Sequence, residues 1–129
     1  MSETAEHEFL LSSRGQTHEL GAYVVGVAFC RATGIAGFGV GDGTVHVGGA
    51  SHQAHRGAVL SLCADVKSRF LTGGDDGKLA RTAEATEVLA EYGSRWVEHV
   101  AAHPDGIRAA SVGRAMHLLD GKGGALKSL

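Results

Sequence analysis

The sequence predicts an all-β chain assembled from repeated antiparallel strand units. Three observations carry this. Glycine supplies 20 of the 129 residues beside a single proline, against about 7% glycine in ordinary proteins, so tight turns between short elements are expected. Asp-Gly pairs stand between short apolar runs, where both residues tolerate the positive φ of a two-residue hairpin. The same order of runs and turns then recurs along the chain, and a sustained repeat outweighs any single window.

The first copy is Val24–Val47 and the second is Ala58–Arg81; superposing Asp42-Gly43 on Asp76-Gly77 sets them 34 residues apart and places Val25 on Val59 and Val45 on Leu79. A looser third copy, Trp96–Asp120, puts Val97 under Val59 and Met116 under Leu79 at offsets of 38 and 37. Each copy opens with an apolar strand: Val24–Phe29, Val59–Cys63 and Trp96–Ala101. A polar or glycine-bearing turn follows at Arg31–Gly34, Asp65–Ser68 and His103–Gly106. Second strands rich in small residues are expected at Ala36–Gly39, Phe70–Gly73 and Ile107–Ser111, and third strands at Thr44–Val47, Lys78–Thr82 and Ala115–Leu119. Gln53–His55, Glu87–Ala90 and Ala125–Leu129 are candidates for a fourth strand in each unit. The competing reading of Lys78–Tyr92 is an amphipathic helix, which its Ala and Glu content favours. It breaks the register that the other copies share, so strands are preferred.

A unit of strand, turn, strand, Asp-Gly turn and strand every ~40 residues is the spacing of a four-stranded propeller blade. AVLSLCADVKSRFLTGGDDGKLAR and HVAAHPDGIRAASVGRAMHLLD resemble blades of the WD-repeat (WD40) β-propeller family, with its PDG turn, its GG-DDG turn and its closing Trp-Asp. The resemblance spans roughly 21–129. The motifs depart from the family pattern: the closing pair is Gly48-Gly49, Thr82-Ala83 and Leu119-Asp120 in the three copies, and the opening Gly-His is Ala54-His55 or Tyr92-Gly93. The resemblance implies antiparallel four-stranded blades, three in number, at about 21–50, 54–90 and 91–129. Residues 1–20 precede them as a leader, in which Glu8–Leu11 is either an outer strand or unstructured.

Three blades do not close a ring, which typically takes four to eight. The expectation is the N-terminal part of a longer propeller whose missing blades lie elsewhere; the alternative is self-association of identical chains to complete the ring. Open end blades leave apolar faces uncovered, and such faces are association surfaces.

The resemblance further implies a buried polar network of a His, a strand hydroxyl, a turn Asp and the closing Trp. Only the second copy keeps most of it, as His55, Thr72 and Asp75 or Asp76, with Thr82 in the Trp position. A His donating to a turn carboxylate pins one strand edge to the next turn, which is a structural role.

Catalytic and ligand chemistry is sparse. Eight histidines invite a metal reading, and His52 and His55 are the nearest to a ligand pair, with His99 and His103 four apart. In strands and turns those spacings do not force convergence, so packed or surface histidines are the plainer reading. Cys30 and Cys63 form no CxxC and no disulfide framework. Ser61 and Ser111 lie inside expected strands, and no Gly-x-Ser-x-Gly elbow surrounds them. Asp75-Asp76 is explained by turn conformation rather than acid–base work. GVGDG and GGDDG precede no helix and no Lys-Ser/Thr, so they are not phosphate loops. Trp96, the only Trp, is expected in the core. Twelve basic residues against fourteen acidic ones, without a basic run, argue against nucleic acid. No apolar stretch reaches the ~18 residues of a membrane helix, and the acidic N-terminus is unlike a secretion signal. No cofactor is expected. The function expected is a cytoplasmic, non-enzymatic scaffold that binds other proteins through its loops. The alternative is a His-rich propeller that takes a metal or small ligand as an accessory or sensor.

Overall fold

A computed structural model describes residues 17–30 and 32–120. Eleven strands and no helix are found among them: β1 (Val24–Phe29), β2 (Ala36–Val40), β3 (Thr44–Val47), β4 (Ala50–Gln53), β5 (Val59–Ala64), β6 (Phe70–Gly74), β7 (Lys78–Thr82), β8 (Thr86–Glu91), β9 (Val97–Ala102), β10 (Arg108–Val112) and β11 (Ala115–Leu119). They form three open antiparallel sheets, each a simple meander: β1–β2–β3–β4, β5–β6–β7–β8 and β9–β10–β11. These are blades 1, 2 and 3. The candidate strands at Glu8–Leu11 and Ala125–Leu129 lie outside the described residues.

Turn chemistry fixes the meander. Gly43 and Gly77 hold φ of 91° and 80°, the left-handed region that a side chain disfavours, and their N–H groups close the hairpins onto the Val40 and Gly74 carbonyls. At the opposite end, the N–H groups of Cys30, Asp65 and His103 each donate across their turns to Ile35, Arg69 and Ile107 at 2.8 Å. The three blades therefore share one ladder.

That ladder corrects the fixed 34-residue alignment in the first strand. Val24, not Val25, occupies the position of Val59: they stand opposite Val40 and Gly74, each just before a β-bulge. Likewise Ala28, not Phe29, corresponds to Cys63, since they pair with Gly37 and Leu71. The turn 30–35 is one residue longer than 65–69, so an alignment anchored on Asp-Gly slips by one across β1, and a one-residue slip exchanges the two faces of a strand.

Lys78–Tyr92 is not a helix. β7 and β8 pair from Lys78↔Glu91 to Thr82↔Thr86, and Arg81 grips Glu87 across the pair at 2.7 Å. The fourth strand of blade 1 lies at Ala50–Gln53, before the expected Gln53–His55, because the chain leaves the sheet at Ala54 and His55, whose N–H groups both donate to the Gly43 carbonyl.

The core lies between blades, in two layers. Val45, Ala54 and Val59, with Val47 and Leu62, fill the space between blades 1 and 2; Leu71, Leu79, Val97, Ala110, Val112 and Leu119 fill that between blades 2 and 3. Blade 2 offers one face to blade 1 and the other to blade 3, so both its faces carry apolar or small side chains at the contacts. Trp96, expected in the core, is 56% exposed, one residue before β9.

Candidate functional site

Two polar clusters and one recess mark the turn-bearing faces. The first cluster links β4, β6 and the β6–β7 turn. The His55 ring is buried, with Nδ1 3.0 Å from Asp76 Oδ1 and Nε2 2.7 Å from Thr72 Oγ1. A carboxylate only accepts, so Nδ1 carries the proton, and in the neutral ring Nε2 accepts from the Thr72 hydroxyl. Asp76 also accepts from the backbone N–H of Arg56 at 2.9 Å and of Lys78 at 3.1 Å. Burial alone pushes the Asp76 carboxyl up, but the Arg56 N–H, the His55 ring and the Lys78 N–H outweigh it and hold the group below its ordinary 3.8. Asp75 takes no part with His55; its side chain packs on Gly57, where a Cβ would strike it. Thr82, expected in place of a closing Trp, is buried and meets the Thr86 hydroxyl at 3.1 Å.

These contacts bear on metal binding. Both ring nitrogens of His55 are occupied by protein partners, so a metal would have to displace one. His52 sits mid-strand opposite Val45, and its buried Nε2 has no hydrogen-bond partner among the described residues. No group of three or more His, Cys, Asp or Glu that suits a metal ion occurs among the described residues.

The second cluster escaped sequence reasoning. Arg108, at the start of β10, is fully buried and reaches back to Asp65 in blade 2, with Nη2 2.9 Å from Oδ2 and Nε 3.1 and 3.2 Å from the two carboxylate oxygens. Arg108 occupies the ladder position of Phe70, since the pairs are Ala102↔Arg108 and Ala64↔Phe70. Phe70 packs on Gly37 of blade 1, where a Cβ would come within 2.7 Å of its ring. Blade 2 thus docks on blade 1 through an aromatic ring, and blade 3 docks on blade 2 through a forked ion pair. Nothing local in the sequence signals a partner 43 residues away; the paired charges at expected turn and strand-start positions were the available hint.

Next to Asp65 the turns of all three blades converge. Ala32, Val66, Lys67, His103 and Pro104, with Cys63 and Val100 beneath, line a recess of about 430 Å³. The Cys30 thiol donates to the Lys67 carbonyl at 3.2 Å and ties the first two turns together. Burial pushes the Cys63 thiol up to about 11, so it stays protonated and unreactive at neutral pH. Ser61, Ser111, His99 and the Asp75-Asp76 pair form no nucleophile–base arrangement in the described hydrogen bonds.

Comparison with known proteins agrees with this architecture. No protein-family model and no curated protein matches the sequence. Among solved structures, the computationally designed Ika4 protein superposes with a TM-score of 0.72 at 19% identity, covering 88% of this chain and 76% of that one. The WD40 β-propeller domain of Doa1 gives 0.67 at 22%, covering 81% of this chain and 38% of the other. A chain of the mitotic checkpoint complex gives 0.64 at 17%, covering 82% and 39%. At such identities the likeness shows the fold, a propeller-type array of blades. Among the described residues no helix is long and apolar enough to cross a membrane.

Proposed function

We propose that the chain is a non-catalytic protein-interaction scaffold of the propeller type, with its partner-binding surface on the face where the turns converge. One observation carries the reading: Ala32 of the first blade's turn, Val66 and Lys67 of the second's, and His103 and Pro104 of the third's line one recess. A surface contributed by three successive blades is rigid, because each blade is held by its interblade core, and rigid concave surfaces lose little entropy on binding. The polar groups support a binding role over a chemical one: Asp65, beside the recess, is committed to Arg108, and His55 and Asp76, at the opposite end of blade 2, to each other.

The test is affinity capture with the immobilised chain, comparing the wild type with Lys67→Glu/His103→Glu, a double variant on exposed turn positions. The reading requires a retained protein that the double variant loses while its melting temperature is unchanged, and that binds saturably when purified. Retention of the same proteins by both forms, or of none above a blank matrix, overturns it.

A further inference from the structure

The shared ladder makes equivalent positions comparable in all three blades, and positions buried between blades have exposed counterparts at the two ends of the array. At the first paired position of the inner strand stand Val24, Val59 and Val97, opposite Val40, Gly74 and Val112. Val59 and Val97 are fully buried against the preceding blade: a Cβ at Gly39 would come within 2.8 Å of Val59 Cγ1, and one at Gly73 within 2.7 Å of Val97 Cγ1. Val24 is 49% exposed. Further along, Leu62 and Val100, opposite Thr72 and Ala110, pack into the two interblade cores. Val27, their counterpart opposite Phe38, is 59% exposed.

The far side of the array shows the complement. Val45 opposite Gly39, and Leu79 opposite Gly73, are the side chains on which the next blade's valine rests, and both are fully buried. Their counterpart in blade 3 is Met116 opposite Ser111, and Met116 is 57% exposed. Ser111 keeps the small side chain that Gly39 and Gly73 provide where the neighbouring valine seats.

We infer that the leading face of blade 1 (Val24, Val27) docks on the trailing face of blade 3 (Ser111, Met116) of a second copy of this chain. The occupant follows from the internal contacts: the same two faces already meet twice within the chain, and each free half is the complement of the other. Such a contact is head-to-tail, and head-to-tail contacts form rings when the rotation closes. Two copies of three blades supply six, inside the range of about four to eight found in propellers. The inference stands on the ladder register and the exposure of these faces, and it goes beyond the proposed function, since the edges and the turn-face recess are different surfaces.

The test is the solution mass of the full 129-residue chain by size exclusion with light scattering. Val27→Glu blocks the leading face and Ser111→Arg the trailing face. Val88→Glu, at an exposed position on the outer strand β8, controls for added charge. The wild type and the β8 control are expected at twice the chain mass of 13.3 kDa, and each edge variant at half the wild-type mass with its strand circular dichroism retained. An equimolar mixture of the two edge variants restores the doubled mass, because it contains one intact leading and one intact trailing face. A wild type at the single-chain mass overturns the inference and assigns the faces to blades of other polypeptide. A heterogeneous high mass overturns closure, and doubled mass in either edge variant alone overturns the head-to-tail geometry.

Discussion

Arg108 of blade 3 clasps the carboxylate of Asp65 in blade 2 with Nη2 2.9 Å from Oδ2, and both side chains are completely withdrawn from solvent. A forked guanidinium–carboxylate contact is the geometry in which buried charge is best compensated. Burying the pair costs much of what it gains, so its contribution lies in demanding both partners rather than in net stability.

Removing one partner is therefore worse than removing both. Arg108→Met leaves the buried Asp65 with only the longer Arg69 contact, Nε 3.9 Å from Oδ2, and is expected to cost about 3 kcal/mol. Asp65→Leu/Arg108→Met is expected to recover most of that loss. Urea unfolding of the two variants beside the wild type measures the difference.

Close approach of the blades depends on glycine at two matched places. Ala at Gly39 or Gly73 places a Cβ within 3 Å of the valine of the next blade, and the displaced packing is expected to cost about 1–3 kcal/mol. Gly49→Ala, where nothing lies within 4 Å, is expected to stay within about 0.5 kcal/mol of wild type. Thermal melts of the three variants test the contrast.

Thr72 is the only protein group that satisfies His55 Nε2 in the described hydrogen bonds. Thr72→Val keeps the shape and leaves a buried ring nitrogen unpaired, an expected loss of about 1–3 kcal/mol, while Thr72→Ser retains the hydroxyl and most of the stability. Equal losses in both variants would show that the methyl group, not the hydrogen bond, matters.

Acid sensitivity should trace to Asp76. Its carboxyl is held below 3.8 in the folded chain, so its contribution is complete above that pH and is lost as the pH falls through the lower folded value. Denaturant midpoints of the wild type are expected to drop from pH 3.8 downward more steeply than those of Asp76→Asn, which has no such carboxyl to protonate.

The strands were legible because their signals are local. Glycine-marked turns and short apolar runs locate β1, β3, β7 and β11 at the bounds expected from sequence, and the other described strands within one to three residues. The His55–Thr72 and His55–Asp76 contacts lie where the family resemblance put a polar network, although Asp75 and Asp76 were indistinguishable without the turn geometry. Interblade relations were hidden. Asp65 and Arg108 meet across 43 residues, a separation that leaves no periodic trace. The extra residue in 30–35 inverted the apparent facing of β1, so Val25 rather than Val24 looked equivalent to Val59. Trp96 read as core because its side chain is large and apolar; it stands one residue before β9, outside the alternation that buries Val97.

Met116 gives the most direct test that the open faces are interblade contacts awaiting a neighbour. Met116 is 57% exposed in the single chain, and in the two-copy assembly it takes the interblade position that Val45 and Leu79 hold inside the chain. The rate of Met116 sulfoxide formation by dilute hydrogen peroxide, read by mass spectrometry of the folded protein, is expected to be slow in the wild type and several-fold faster in Val27→Glu, which never touches Met116 within one chain. Equal rates in the two proteins would contradict a contact between these faces.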